Sequence, residues 1–423
     1  MFDFNDYNKG TKYLMAGNID KGMQFLKRAT KVDDFKELWL NLGNCYKAKG
    51  DYVNAKKCYD KAIQTSVPNA HGKFGNFDLG ISNMGLYYYA TGNDDLAIEY
   101  YKKALVVNPN LADATWNYAS ALLRKYSSRQ EVDLELAWKC YDYRFIRSNP
   151  VPIEKSLPMW DGVKRGRSIC VLAEQGLGDK LMWGRYVKCL RAFFDEVWVQ
   201  CHVMLDCIFS DFKTCRVAAD SGAEFGTPIC GLAGIFGLVD GEWLRGKFSA
   251  DKFSTDRFNV GVEWAGSTTH SNNLNRSITP DVFLDNLSLP RVKLYTFREK
   301  SIRGLTALNT VNKGWDATAS ALLGLDLLIT VDTSIAHMAG SLGVETWLLQ
   351  PLIETDFRWG NDSMCEDNIW YPSVKVIRNP GDWKQVFSTV KKKLEGRAAS
   401  FPFTKWDKDI ATYVNNFKTG NIE

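Results

Sequence analysis

Residues 327–343 read LLITVDTSIAHMAGSLG, a row of branched apolar side chains that runs into an acid, two hydroxyls and a histidine. An unbroken β-prone run without alternation suits a strand buried on both faces, here 327–331. Asp332 ends it, and Thr333 and Ser334 open the helical stretch SIAHMAGSLG. The first backbone N–H groups of a helix lack intrahelical partners and sit at its positive dipole end, so a helix start at the end of a strand binds phosphate readily. His337 lies four residues after Thr333 and so shares its helix face. Ala336, Ala339, Gly340 and Ser341 are small enough to bring that helix close to the sheet. A plain crossover helix would also begin Asp-Thr-Ser, but it would have no need of the histidine.

Outward from this stretch the same pattern recurs. SICVLA (168–173), EVWVQC (196–201), FNVGVEWAG (258–266), VKLYTF (292–297), ETWLLQ (345–350) and VKVIR (374–378) are short apolar runs separated by amphipathic segments such as GDKLMWGRYVKCLRAFF. Alternation of this kind predicts parallel α/β sheets. One series starts near 166 and a second near 256, so two Rossmann-like units facing across a cleft are expected, with ligands at the carboxyl ends of the strands.

Two further strand ends stand out. LAEQGLGDKLMWGRY (172–186) places Glu174, Gln175, Gly176, Gly178 and Asp179 after a strand at 169–173. The glycines permit a tight turn and close approach to a ligand, and Asp179 at a helix start reads either as an N-cap or as a catalytic acid. VGVEWAGSTTHSNNLNRSITP (260–280) leaves its strand at Trp264 and continues through Gly266, Ser267, Thr268 and Thr269 to Arg276. A hydroxyl-rich loop closed by an arginine can wrap a phosphate; a salt-bridged surface loop has the same composition. His270 and His71 have no sequence partner and read as surface histidines.

The front of the chain is built differently. WLNLGNCYKAKGDYVNAKKCYDKAI aligns with ISNMGLYYYATGNDDLAIEYYKKALVVNP, matching Gly43 to Gly85, Tyr46 to Tyr88, Gly50 to Gly92, Ala55 to Ala97, Tyr59 to Tyr101 and Ala62 to Ala104. Gly10, Tyr13, Gly17, Gly22, Leu26 and Ala29 repeat the frame earlier, and Trp116, Ala119, Ala137 and Tyr141 repeat it loosely afterwards. This recurrence resembles the tetratricopeptide pattern, in which small residues let paired helices approach and aromatics fill the gaps. An insertion, TSVPNAHGKFGNFD, lengthens the spacing between the second and third copies. RSNPVPIEKSLPMWDGVKRGRS (147–168) reads as a proline-bearing connector.

Composition sets outer limits. At 423 residues the chain exceeds one hydrophobic core, so two or three domains are expected. With 45% apolar and 24% charged residues it is an ordinary globular chain and not a disordered one. No run of about 18 apolar residues is present, and MFDFNDYNKG lacks the basic and apolar regions of a signal peptide, so no membrane span and a cytoplasmic, intracellular location are expected. The ten cysteines have no metal-binding spacing and read as reduced, mostly buried thiols. The net charge of +4 lies wholly in residues 1–150, where 21 Lys and Arg face 17 Asp and Glu; this hints at an acidic partner or simply at a solvated helical surface.

EQGLGDKLMWGRY, VGVEWAGSTTHSNNLNRSI and LDLLITVDTSIAHMAGSLGVETWLLQP, followed by DFRWG and WYPSVKVIR, resemble the heptosyltransferase-like glycosyltransferases of family 9, above all the intracellular proteins that join such a region to tetratricopeptide repeats. The layout is also similar to that of the O-linked N-acetylglucosamine transferases. The resemblance implies a GT-B fold, an inverting, metal-independent reaction without a cofactor, and a nucleotide-diphosphate sugar as donor. It divides the chain into repeats at 1–148, a connector at 149–167, an acceptor-side Rossmann-like domain at 168–255 and a nucleotide-sugar domain at 256–423. Asp179 matches the family's general base. Gly176, Gly178, Trp264, Ser267, Arg276, Asp332, Thr333, Ser334 and His337 fall to donor binding. Ser334 departs from the family's usual glycine. The expected acceptor is a hydroxyl on a protein or on a modified base of DNA, the latter as in a phage-infected host cell. The rival expectation is a repeat scaffold whose transferase region is only structural.

Overall fold

A computed structural model of the chain describes residues 4–65, 77–253, 256–267, 272–310, 313–351, 353–379 and 381–401. The chain divides into two compact units. The first comprises Met1–Val151 together with Ile353–Asn361, and the second comprises Pro152–Leu352 and Asp362–Glu423.

The first unit is helical: α1 (Phe4–Met15), α2 (Ile19–Ala29), α3 (Lys36–Ala48), α4 (Tyr52–Gln64), α5 (Asp78–Ala90), α6 (Asp94–Val107), α7 (Ala112–Ser127) and α8 (Leu134–Tyr141), packed as successive pairs. The repeat positions explain the pairing. A Cβ on Gly43 would lie 2.5 Å from the Tyr59 ring, and one on Gly85 would lie 2.6 Å from the Tyr101 ring. Glycine thus lets each helix rest directly on the buried tyrosine of its partner, a burial that contributes about 1.5–3 kcal/mol per large side chain. The turns recur too. Gly17, Gly50 and Gly92 take φ of 75°, 75° and 85°, a left-handed conformation that glycine adopts without strain. The next residue, Asn18, Asp51 or Asn93, caps the following helix by accepting an N–H from Lys21, Asn54 or Leu96. His71 and most of the 42-residue-spaced insertion lie outside the described residues.

The segment Ile353–Asn361, which contains all of DFRWG, belongs to this helical unit. Glu354 N–H donates to Ala90 O (2.9 Å), and Asn361 donates through N–H to Ser128 Oγ (2.6 Å) and through Nδ2 to Gly92 O (2.6 Å). Fully buried Arg124 holds Asp94 in a forked pair at 2.9 and 3.1 Å, donates to Thr355 O and Oγ1 (both 3.2 Å) and stacks 3.6 Å from the Tyr89 ring.

The second unit carries β1 (Gly166–Leu172), α9 (Leu177–Trp183), β2 (Phe194–Gln200), β3 (Lys213–Cys215), β4 (Phe225–Pro228), α10 (Leu232–Phe236), β5 (Phe258–Glu263), α11 (Asn273–Arg276), α12 (Pro280–Leu287), β6 (Val292–Thr296), β7 (Thr306–Ala307), α13 (Trp315–Leu323), β8 (Leu327–Val331), α14 (Ser334–Leu342), β9 (Thr346–Gln350), β10 (Val374–Arg378) and α15 (Trp383–Ser400). They form two parallel sheets, ordered β3-β2-β1-β4 and β10-β9-β8-β5-β6-β7. In the second sheet β5, β8 and β9 are buried at every residue, which is why their sequences do not alternate. Its core joins Val260, Val262, Leu327, Ile329 and Val331 to Phe283 of α12 and Phe387 of α15.

The amphipathic stretch 178–194 is not one helix. α9 ends at Trp183 and residues 184–192 continue as a tighter 3₁₀ turn. Gly184 lies where a Cβ would meet Trp243 at 2.6 Å, and the Met182 carbonyl accepts the Arg185 Nε at 2.7 Å, so close packing and a side-chain donor replace the regular ladder. All ten cysteines are free thiols, and burial pushes that of Cys170 up to about 12.

Candidate functional site

The sequence-predicted residues lie on three loops that leave the carboxyl ends of β1, β5 and β8, and all three belong to the second unit. Thr268, Thr269 and His270 lie outside the described residues.

The β1 loop is a braced, strained turn. Gln175 takes φ of 57°, which is uncommon for a residue with a side chain, and Gly176 then caps α9. Three side chains hold the turn. Buried Glu174 accepts the Cys230 N–H at 3.0 Å, Asp179 Oδ2 accepts the Gly176 N–H at 2.9 Å, and Lys180 Nζ donates to the carbonyls of Glu174, Gln175 and Gly176 at 3.3, 3.0 and 3.3 Å. Burial lowers the pKa of the Lys180 ammonium from its ordinary value, with neighbouring Asp179 opposing the shift. Asp179 therefore does cap its own helix. It remains partly exposed at the mouth of the turn.

The β5 loop is closed by its arginine. Trp264 O accepts the Ile278 N–H at 2.8 Å, which pins the two ends together. Arg276 is 8% exposed and its guanidinium lies beneath Gly266, where a Cβ would sit 2.7 Å from Cζ. Its Nη1 donates to Asp332 O at 2.8 Å, while its buried Nε makes no hydrogen bond among the described residues. Arg276 thus ties the β5 loop to the β8 loop, and Gly266 is the residue that leaves it room. Ser267 stands exposed at the tip.

The β8 loop turns directly into α14. Thr333 is its N-cap in extended backbone (φ −145°) without a side-chain cap bond, and its Oγ1 lies 3.4 Å from Thr330 Oγ1. The Thr333 carbonyl accepts the N–H groups of Ala336 and His337. His337 is buried, with Nδ1 3.1 Å from Tyr371 Oη. Its other edge faces the β1 loop: a Cβ on Gly178 would lie 2.7 Å from His337 Cδ2 and 3.6 Å from Ser334 Cα. Farther along, Ser341 Oγ donates to Leu181 O (3.3 Å), and Trp243 Nε1 donates to both Leu181 O (3.0 Å) and Ser341 Oγ (3.1 Å).

The structure therefore brings Gly178, Ser334 and His337 into one contact and Gly266, Arg276 and Asp332 into another, with the β8 loop common to both. One cation was missed in the sequence. Arg298, two residues beyond β6, pairs with buried Glu263 (Nε to Oε1, 3.1 Å), donates to Ala265 O (3.1 Å) and lies 4.6 Å from the Trp264 ring. Its position just past the end of VKLYTF was the available signal. Burial raises the Glu263 pKa and Arg298 pulls it back. Among the described residues no three His, Cys, Asp or Glu gather as a metal site, and no helix is long and apolar enough to cross a membrane.

A tetratricopeptide-repeat family model matches residues 37–66 and 80–111, the helices α3–α4 and α5–α6. Similar solved structures include MamA, 21% identical over 32% of this chain and 71% of that one (TM-score 0.26). YrrB, described as a TPR protein with an unusual peptide-binding site, is 18% identical over 33% of this chain and 64% of that one (TM-score 0.26). The second TPR domain of human RPAP3, solved with the HSP70 peptide SGPTIEEVD, is 16% identical over 28% of this chain and 92% of that one (TM-score 0.25). Curated proteins yielded no match. The chain carries tetratricopeptide repeats, followed by parallel α/β sheets.

Proposed function

We propose that the second unit is an inverting glycosyltransferase of the GT-B type, taking a sugar from a nucleotide-diphosphate donor to a hydroxyl on a macromolecule. The observation that carries this reading is the seating of Gly178 on the first turn of α14 at His337 and Ser334. Gly178 is followed directly by Asp179, and a helix start such as that of α14 is suited to phosphate.

The chemistry follows from these parts. Asp179 takes the proton of the acceptor hydroxyl, whose oxygen bonds to the anomeric carbon as the bond from that carbon to the diphosphate breaks on the opposite face. Negative charge then grows on the leaving oxygens. The α14 N–H groups, the Arg276 cation and a donor on His337 meet it. The Gly176 N–H bond to Asp179 fixes the direction of its carboxylate. The repeats would hold the acceptor, and repeats of this kind point to a protein partner. A second reading, a protein-binding scaffold with an inert α/β unit, draws on the same repeats and on the structural bonds that Asp179 and Arg276 already make.

Asp179→Asn separates the two. The transferase reading expects turnover to fall by about a hundredfold or more with donor affinity nearly kept, measured by product formation and calorimetry. Unchanged turnover would remove Asp179 as the base.

A further inference from the structure

The WYPSVKVIR stretch is used by no step above, yet Trp370 and Tyr371 are 2% and 0% exposed. Asn368 Oδ1 anchors both by accepting their N–H groups at 3.0 and 3.1 Å. Trp370 packs edge-on against Trp183 with ring centres 5.4 Å apart, and its carbonyl accepts Arg185 Nη1 at 2.7 Å. The Tyr371 ring fills the space beside Gly340, where a Cβ would approach within 2.6 Å, and the Arg185 guanidinium carbon lies 4.5 Å from the ring centre. Arg185 is wholly buried, with Nη2 making no hydrogen bond among the described residues. Its cation is met by the carbonyls of Met182 and Trp370 and by the Tyr371 face.

A cation on a phenol ring draws electron density from it and makes its O–H the stronger donor. We propose that Tyr371 is a positioning residue: its hydroxyl donates to His337 Nδ1, so the imidazole carries its proton on Nε2, the side of the ring turned toward Gly178. Arg185, stacked on the other part of the same ring, keeps Tyr371 in the donor role. Fixing one nitrogen of an imidazole by a hydrogen bond selects the tautomer at the other. His337 then offers a permanent N–H donor where the α9 turn meets α14, independent of any shift in charge. The further step, that this donor meets the leaving diphosphate, rests on the transferase reading.

Nitrogen-15 NMR of the imidazoles tests this directly, because the chain has four histidines and His337→Gln identifies the signal. The full-length protein near neutral pH is expected to show His337 with Nε2 protonated and Nδ1 accepting. Tyr371→Phe, which keeps the ring and the Arg185 stack, is expected to show a mixture of tautomers. Inorganic pyrophosphate should bind Tyr371→Phe about five- to tenfold more weakly than the parent by calorimetry. A wild-type His337 protonated at Nδ1, or an identical spectrum in Tyr371→Phe, overturns the proposal, and the wild-type spectrum decides even if the variant folds poorly. A tautomer change in a protein that binds no pyrophosphate supports the brace and refutes the transferase reading alone.

Discussion

Gly178→Ala probes the contact on which the functional reading rests. The added Cβ would stand 2.7 Å from His337 Cδ2, whereas carbon atoms settle at about 3.5–4.0 Å, an overlap of about 1 Å. Swinging the ring away is hindered, since His337 is 5% exposed and bonded to Tyr371. Either that bond is lost, at about 1 kcal/mol, or α9 and α14 separate, at the 1–3 kcal/mol typical of an overpacked core. Alanine returns up to about 1 kcal/mol through its better helix propensity, leaving a net loss of up to about 2 kcal/mol. Gly396→Ala supplies the internal standard. It lies in α15 with nothing among the described residues within 4 Å of the new Cβ, so it should gain about 0.5–1 kcal/mol. Thermal unfolding of the two variants should therefore differ by about 2 kcal/mol, or about 4–8 °C in the transition of the α/β unit. Equal melting of the two would refute the seating of the β1 loop on α14.

Two other predictions concern buried charge. Asp94→Asn strips fully buried Arg124 of its carboxylate and should cost about 3–5 kcal/mol in unfolding of the helical unit; a loss near zero would show that Asp94, Thr355 and Tyr89 do not lock around that cation. For Glu263, burial raises the folded-state pKa, so the folded protein holds a proton that the unfolded chain has already released. Its contribution to stability therefore falls as pH rises through the interval just above the ordinary carboxylate range. Glu263→Gln should flatten that part of the stability curve, and a curve unchanged from the parent would show the carboxyl to be unshifted.

Much of this was readable in the residues. LLITV, TWLLQ and FNVGVE declared themselves because strands buried on both faces cannot alternate, and Gly43–Tyr59 and Gly85–Tyr101 because a helix can rest on a buried ring only at a glycine. Asp332, Thr333, Ser334 and His337 were legible for the same reason: strand end, cap and helix face are all local. What local pattern cannot carry is the long-range partner. Nothing beside Arg276 foretells that it would reach Asp332 O, 56 residues on, and nothing beside DFRWG foretells that it would pack with helices more than 200 residues earlier. GDKLMWGRYVKCLRAFF is amphipathic along its length, yet its helix type changes at Gly184, where Trp243 packs from outside the segment.

The most direct measurement is sugar transfer itself. The full-length chain is incubated with a panel of nucleotide-diphosphate sugars and candidate protein and hydroxylated-DNA acceptors, and both nucleoside diphosphate release and acceptor mass are followed. At least one donor should release its diphosphate in step with an acceptor gaining one sugar, and Asp179→Asn should abolish both. A chain that neither binds nor consumes any donor would contradict a transferase and leave the repeats as its working part.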